Sequence, residues 1–267
     1  MASNFLMGGK LGDFLHAMFA VKNICEQNNT KANIYMYDIG WEFGIHNTHS
    51  ELQPIFLQQN YVSSFSVLEN YEIDPIQTPK QNTPIRIYNE KLLQEGYIDL
   101  GDYIRSPWLY KTCWSDLYSK TFNFEIKKEY RWITYNKINP DLENKILIQR
   151  KAHTLRNPNF NYSSIIENYG KENIVFISST QKDYDEFPNN SEIPFYKVTT
   201  LDDWFTAINS SAMVIANLSA PAVMAHAMDK PRIIELPYTI DAQHCIGEEY
   251  YSDNVYWYVD DYENNLK

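Results

Sequence analysis

The chain has 267 residues, which is enough for two domains at the usual domain size. Hydrophobic residues make up 44% of it, so a buried core can form, which argues against global disorder. The formal net charge is −11 and no run of Lys or Arg occurs. This balance argues against a general nucleic-acid binder but leaves room for a local basic groove.

The cysteines and the apolar runs bear on the compartment. Cys25, Cys113 and Cys245 are far apart and odd in number, which fits a reducing compartment and offers no Cys-x-x-Cys pair. No apolar run reaches ~18 residues, the length that a membrane-spanning helix needs, and the apolar stretch at the start is too short for a signal peptide. We therefore expect a soluble cytoplasmic protein without a membrane span.

The first half of the chain predicts short strands and helices. We expect strands at 3–7, 32–37, 61–68 and 84–88, and helices at about 13–26, 50–59 and 107–122. The last helix is rich in aromatic residues, including Trp114 and Tyr118. We interpret these as packing residues, because a base-stacking platform would need interleaved cations.

A polar connector at 135–141 marks the expected domain boundary, with domains at 1–140 and 141–267. The second half predicts strands at 146–149, 174–178, 195–198, 213–216 and 232–236, and helices at about 162–169, 183–187, 201–209 and 220–228. Strands that alternate with helices indicate a parallel sheet. The tail at 254–260 is expected either to form a strand or to pack back across the domain interface.

Each half contains a polar turn between a strand and a helix, at 7–13 and at 217–221. The first backbone N–H groups of a helix lack intrahelical partners, which makes such a turn a ready anion site. The carboxyl ends of strands are also where open α/β sheets bind ligands. The sequence thus predicts an α/β fold of two Rossmann-like domains that face each other across a cleft.

The first turn carries the pattern Gly8-Gly9-x-x-Gly12-Asp13, with His16 one helical turn further on. Glycines let a backbone approach a ligand closely, and an aspartate at a helix start could accept a proton from an attacking hydroxyl group. The alternative is purely structural, with Asp13 as the N-cap of the helix and Gly12 in a tight turn.

The glycine pattern at this turn argues against a dinucleotide-binding oxidoreductase. The dinucleotide-binding fingerprint needs Gly-x-Gly-x-x-Gly after the strand, and Met7 stands where its first glycine should be.

A basic segment follows the first strand of the second half. Arg150, Lys151 and Arg156 lie where the carboxyl edge of the sheet is expected, and forked guanidinium groups with a lysine suit a diphosphate. The alternative is an exposed basic loop on an acidic surface.

The pair Asp183-x-Asp185 matches an Asp-x-Asp pattern that can hold a divalent metal. We prefer to interpret it as a helix start, where acidic residues are favoured, and we expect no metal site. The His and Cys residues show no zinc spacing, and no Gly-x-Ser-x-Gly elbow of a serine hydrolase occurs.

Taken in order, these segments resemble a known family. Gly9-x-x-Gly12-Asp13-x-x-His16 is similar to the Gly-Asp-x-x-His opening of heptosyltransferase-like (family 9) glycosyltransferases. The segment 215–221, Ile-Ala-Asn-Leu-Ser-Ala-Pro, resembles their Ile-Gly-Asn-Asp-Ser-Gly-Pro donor loop. Segments 156–160 and 180–187 resemble their other donor-side segments.

The resemblance implies a GT-B fold with the acceptor bound by the N-terminal domain and a nucleotide diphosphate sugar bound by the C-terminal one. It also implies an inverting, metal-independent transfer to a hydroxyl group on a glycan or another acceptor, without a cofactor. Nucleic acid is disfavoured but not excluded as acceptor. The implied catalytic residues are Asp13, as the base, and His16. The implied substrate-binding residues are Gly9, Lys10, Gly12, Arg150, Lys151, Arg156, Asn157, Thr180, Asn217, Ser219, Ala220 and Glu235.

The donor loop departs from the family pattern. Leu218 replaces an Asp, Ala220 a Gly and Val223 a His, so the donor pocket is altered and ADP-heptose itself is in doubt as the donor. These replacements support a rival hypothesis, a catalytically inactive GT-B-like module that binds a glycan or a nucleotide.

Overall fold

The protein divides into two compact units, Met1–Thr134 and Tyr135–Lys267, so that the division falls at the start of the polar connector. In the computed structural model, the described residues are 2–38, 41, 44–69, 73–74, 86–87, 90–126, 131–151, 156–236 and 255–258. None of the helices among these residues is long and apolar enough to cross a membrane.

The first unit is built on a four-stranded parallel sheet of order β3-β2-β1-β6. Its strands are β1 (Ala2–Met7), β2 (Lys31–Met36), β3 (Val62–Val67) and β6 (Ile98–Asp99), and a separate antiparallel pair joins β4 (Ile73–Asp74) to β5 (Arg86–Ile87). Its helices are α1 (Leu11–Asn28), α2 (Ile45–Phe56), α3 (Glu90–Gln94) and α4 (Trp114–Phe122), with a 3₁₀ turn at Leu100–Arg105.

The core of this unit follows from strand alternation. Phe5, Ile34 and Phe65 are in register across β1, β2 and β3 and are all buried. Residues in register across parallel strands share one face, so these three side chains form a continuous apolar surface. Phe14 of α1 packs edge-on against Phe65, with the ring centroids 5.9 Å apart. This packing anchors the start of α1 over the carboxyl end of β1.

Two predicted helices of this unit have wrong starting points. The helix predicted at 50–59 begins at Ile45, after Gly44 with φ +77°, and it accommodates Pro54. The helix predicted at 107–122 begins only at Trp114, because the preceding residues form turns and Tyr110 has a left-handed backbone. Neither helix start carries the Ser, Thr, Asp or Asn side chain that marks such positions in a sequence.

The second unit is built on a six-stranded parallel sheet of order β12-β11-β10-β7-β8-β9. Its strands are β7 (Ile146–Gln149), β8 (Ile174–Ser178), β9 (Phe195–Lys197), β10 (Met213–Asn217), β11 (Arg232–Glu235) and β12 (Val255–Tyr258). Its helices are α5 (Tyr162–Tyr169), α6 (Gln181–Asp185), α7 (Leu201–Ser210) and α8 (Ala220–Ala227), with 3₁₀ turns at Pro140–Leu142 and Lys171–Asn173.

Counted within this unit, the strand order is 6-5-4-1-2-3, which is the Rossmann order read from the other end. The order reverses between β7 and β10, so the carboxyl ends of these two strands border the crevice where such sheets bind ligands. Of the two alternatives for the tail, the strand is the one formed at 255–258, where β12 pairs with β11 in parallel. Thr200 and Asp203 form a capping box at the start of α7.

Candidate functional site

The glycines that follow β1 are required by their surroundings. A Cβ atom on Gly8 would lie 2.1 Å from the ring of Tyr37, so no larger residue fits there without displacing that ring. Gly9 has φ +103°, which is accessible to glycine but rarely to other residues. The chain thus turns tightly from the carboxyl end of β1 into α1.

Asp13 lies in the first turn of α1, where its carboxyl group is largely buried. The N-cap of this helix is Lys10, so the alternative with Asp13 as N-cap and Gly12 in a turn is wrong. Asp13 is the third helical residue and accepts the backbone N–H of Lys10. Burial raises the pKa of Asp13 from 3.8 to about 6, although the Lys10 charge and the hydrogen bond act in the opposite direction. A carboxylate with this pKa suits a general base near neutral pH.

Aromatic residues surround this helix start. The His16 ring is buried and stacks on Trp114, with the centroids 4.7 Å apart and the planes 16° apart. Tyr103 packs edge-on against Trp114 at 5.5 Å, and the Tyr118 hydroxyl lies 3.5 Å from the backbone oxygen of Asp13. Burial, followed by the charge of Asp13, raises the pKa of both tyrosines well above the usual value. Trp114 and Tyr118 therefore pack within the unit, as the sequence predicts, and both tyrosines stay neutral.

A buried ion pair lies at the carboxyl edge of the second sheet. Arg150, directly after β7, contacts Glu235, the last residue of β11, through Nε at 3.0 Å and Nη2 at 2.9 Å. Glu235 is fully buried, and the Arg150 side chain is 10% exposed. The sequence assigns both residues to donor binding, and the structure pairs them with each other.

Two further groups complete the surroundings of Glu235. The backbone N–H of Asn157 donates to Oε1 at 2.7 Å, and the Tyr162 hydroxyl donates to Oε2 at 2.7 Å. The guanidinium carbon of Arg150 lies 5.2 Å from the centroid of the Tyr162 ring. Burial, followed by the charge of Glu235, raises the pKa of Tyr162 well above its usual value, so this hydroxyl remains a donor.

The donor loop after β10 leaves the start of α8 without a side-chain cap. Ser219 is the N-cap residue, but its hydroxyl contacts Gln149 Oε1 at 2.6 Å and the Asn217 backbone oxygen at 2.9 Å instead of the helix. Asn217 is fully buried and accepts the Lys151 backbone N–H at 3.2 Å. Ala220 and Pro221 are the first two helical residues, and proline costs little there because its missing N–H has no intrahelical partner in any case.

The remaining predicted residues of this unit lie around the same edge. Arg156 bonds the backbone oxygen of Lys151 and pairs with Glu186 at 3.3 Å. Thr180 is the N-cap of α6 and accepts the Asp183 N–H. Asp183 also accepts the Ser178 hydroxyl at 2.7 Å. The Asp-x-Asp pattern lies within α6, which begins at Gln181, two residues earlier than predicted, and ends at Asp185. No group of three or more potential metal ligands occurs among the described residues.

The two units thus hold separate sets of predicted residues. Gly9, Lys10, Gly12, Asp13 and His16 belong to the first unit, at the start of α1. The second unit brings together Arg150, Lys151, Arg156, Asn157, Asn217, Ser219, Ala220 and Glu235 at the carboxyl ends of β7, β10 and β11. The part of the basic segment at 152–155 lies outside the described residues.

Sequence reasoning missed Gln149 and Tyr162. Gln149 closes an otherwise apolar strand, and a polar residue at that position in a fully buried strand is a usable signal. Tyr162 is the first residue of α5 and looks like an ordinary core tyrosine, so the sequence carries no sign of its bond to Glu235.

Comparisons with known proteins bear on the fold. No protein-family model matches the chain, and a search of curated proteins finds no significant match. Among solved structures, the heptosyltransferase WaaC of E. coli with ADP matches with a TM-score of 0.55 at 11% identity, over 100% of this chain and 96% of that one. A family 9 glycosyltransferase from Veillonella parvula matches with a TM-score of 0.51 at 13% identity, over 98% and 87%.

A third structure is that of TibC, a dodecameric iron-containing heptosyltransferase in complex with ADP-D-β-D-heptose. It matches with a TM-score of 0.56 at 13% identity, over 97% of this chain and 63% of that one. Together these structures confirm the predicted α/β fold, with two Rossmann-like units as in GT-B glycosyltransferases, and the predicted resemblance to family 9 at the level of the fold.

Proposed function

We propose that this protein is a glycosyltransferase that moves a sugar from a nucleotide diphosphate sugar to a hydroxyl acceptor, with inversion and without a metal. The observation that carries the proposal is Asp13, a largely buried carboxyl group with a pKa of about 6 at the turn after the first Rossmann strand. The fold shared with heptosyltransferases supports the reaction class.

Asp13 would act as the general base. It takes the proton of the acceptor hydroxyl while that oxygen forms a bond to the anomeric carbon of the sugar, and the bond from this carbon to the donor phosphate breaks. The base needs its carboxylate form, which a pKa of about 6 provides at neutral pH while keeping the group basic enough to bind a proton. We place His16 as the second catalytic candidate, because its ring is held flat against Trp114 one turn further along α1.

The leaving nucleoside diphosphate would be bound by the second unit. Arg150, Lys151 and Arg156 supply positive charge. The start of α8 supplies the Ala220 N–H, since Pro221 has none and the N–H groups of Ala222 and Val223 bond the Ser219 backbone oxygen. Such donors stabilise a developing negative charge without a metal ion. TibC is described as iron-containing. For the present chain we propose a metal-free reaction, which chelation tests directly.

The first unit would bind the acceptor and the second the donor. Among the described residues, Cys25 and Cys113 are buried and form no disulfide, which supports the proposal of a reducing compartment such as the cytoplasm. Donor binding and sugar transfer can be tested separately, since binding needs only the residues of the second unit and transfer needs the residues of both units.

The decisive experiment is a screen of nucleotide sugars by thermal shift, followed by assays of donor hydrolysis and sugar transfer with each donor that binds. A ligand present at 100 times its Kd stabilises the folded state by about 2.7 kcal/mol, which such a shift detects. Turnover of a bound donor, lost in Asp13→Asn, is the expected result.

The second candidate function is an inactive binding module. It is favoured by the donor loop, where Leu218, Ala220 and Val223 replace the family's Asp, Gly and His. A nucleotide sugar that binds but is neither transferred nor hydrolysed would establish this alternative.

A further inference from the structure

The pairing with Glu235 leaves one nitrogen of Arg150 unused. Glu235 occupies Nε and Nη2 of Arg150, and Nη1 makes no hydrogen bond within the part of the chain that the structure describes. The backbone N–H of Asn157 donates to Glu235, and its side-chain Oδ1 accepts the N–H of Asn159. Its Nδ2 atom, like Nη1 of Arg150, makes no hydrogen bond to any described residue. The Arg150 side chain is 10% exposed, whereas Asn157 is 1% exposed. Of these two residues, Arg150 is therefore the one that a ligand can contact.

Glu235 itself is poorly placed to be a ligand. It is 0% exposed, and its two oxygens accept hydrogen bonds from Arg150, Asn157 and Tyr162. A sugar or ribose hydroxyl group would have to displace one of these donors. The carboxylate therefore acts on the site through the groups that it holds.

We propose that Glu235 and Tyr162 are positioning residues, which hold Arg150 Nη1 toward the diphosphate of the donor. This inference rests on the proposed function and names the parts of the protein that recognise the second phosphate. Glu235 fixes the guanidinium fork in its plane, and the Tyr162 ring lies beside it at 5.2 Å and restricts its movement. The Glu235 carboxylate also fixes the loop backbone at Asn157, because it accepts the N–H of that residue.

Energetics favour a functional role for this cluster. A buried ion pair is often no more stabilising than apolar residues of the same volume, because both charges lose their hydration. The cluster joins segments that are far apart in the chain and meet where the strand order reverses. Donors that are already held in place increase affinity, because no entropy is lost in ordering them when the ligand binds.

The test compares diphosphates with monophosphates. We would measure by calorimetry the Kd values of ADP, UDP, GDP and CDP and of the matching monophosphates, for the full chain and its variants. The ratio of the monophosphate Kd to the diphosphate Kd isolates recognition of the second phosphate. A merely structural role would weaken both ligands equally and leave this ratio unchanged.

We expect the ratio to fall at least about tenfold in Glu235→Gln, which keeps the size of the side chain but removes its charge, since bonds to charged groups are the stronger ones. In Tyr162→Phe, which removes one hydroxyl group, we expect a fall of about threefold to tenfold. The matched control is Ser210→Ala, which removes a hydroxyl bonded to the Asn139 N–H at 2.7 Å where α7 ends, ahead of β10. It should leave the ratio unchanged.

The outcomes separate this inference from the proposed function. If the unmodified protein binds none of these nucleotides, the proposed function fails and this inference fails with it. If it prefers a diphosphate and folded Tyr162→Phe and Glu235→Gln keep that preference, only the positioning role is overturned. If Glu235→Gln does not fold, Tyr162→Phe alone decides, because the loss of one hydroxyl group leaves the ring packing in place.

Discussion

Asp13 in the first unit and Glu235 in the second are carboxyl groups with contrasting surroundings. Asp13 accepts the backbone N–H of Lys10 and lies near the Lys10 charge, and both lower its pKa. Burial outweighs these two effects, so the pKa of Asp13 rises to about 6. Glu235 is surrounded by a forked guanidinium group, a backbone N–H and a tyrosine hydroxyl. The Asp13 carboxyl group can therefore exchange a proton near neutral pH. The contacts of Glu235 fix the positions of the groups that donate to it.

The largest effect should follow from changing Asp13. Asp13→Asn keeps the shape and can still accept the Lys10 N–H through its amide oxygen, but it cannot take up a proton. We expect transfer to fall by roughly 10²–10⁴-fold while nucleotide binding is unchanged. Steady-state kinetics with calorimetry on the same samples measures both. Transfer at the wild-type rate would remove Asp13 from the mechanism.

Glu235 should matter first for stability. Glu235→Ala leaves Arg150 buried without its carboxylate, which should cost about 3–5 kcal/mol of unfolding free energy. The matched control is the double variant Glu235→Leu with Arg150→Met, in which both charges are absent and most of the loss should be recovered. Denaturant unfolding measures both. A loss below about 1 kcal/mol in Glu235→Ala would mean that the pair is not buried as described.

Ser219 tests whether the donor lies at the start of α8. Ser219→Trp should lower nucleotide affinity by more than about tenfold, because the indole fills the space beside the uncapped helix end. Ser219→Ala removes the hydroxyl without adding bulk and serves as the control, with affinity expected within about threefold. Unchanged affinity in a folded Ser219→Trp variant would place the donor elsewhere.

Chelation should have the smallest effect. Excess EDTA should leave transfer unchanged, because Arg, Lys and helix N–H groups would bind the leaving diphosphate. Loss of activity that Mn²⁺ or Mg²⁺ restores would show that the reaction depends on a metal ion.

The sequence predicts the second unit better than the first, for a physical reason. The strands β7 and β8 are buried along their whole length, so each is an apolar run between polar turns, and both are predicted to the residue. In the first unit, β6 has two residues and α3 has five, which is too short for any periodicity to be visible.

The candidate site was predictable as a set of residues but not as a set of contacts. Strand-to-helix turns and basic side chains point to Asp13 and Arg150 in the sequence, whereas Glu235 enters only through the resemblance to family 9. The pairing of Arg150 with Glu235 joins positions 85 residues apart, and it depends on strand order and register, which local patterns do not encode. The raised pKa of Asp13 likewise depends on burial by the surrounding fold, which contributes Tyr103 and Tyr118 as close neighbours of its charge.

The raised pKa of Asp13 should make the stability of the protein depend on pH in a predictable direction. Its pKa is higher in the folded protein, about 6, than the ordinary value of 3.8, so the folded state binds the proton more tightly. The resulting stabilisation is fully present below about pH 4 and is lost as the pH rises toward and through 6. Relative to Asp13→Asn, the unmodified protein should therefore lose unfolding free energy as the pH rises from about 4 through 6. Above this range the difference between the two proteins should be constant.

The most direct measurement of the central claim is the pH dependence of kcat/KM for sugar transfer, with a donor identified by the thermal-shift screen. If Asp13 is the base, kcat/KM should rise about tenfold per pH unit at low pH and level off above a break near pH 6. The residual activity of Asp13→Asn should lack this break. A profile that is flat from pH 5 to 7, or a break that persists in Asp13→Asn, would contradict the assignment of Asp13 as the base.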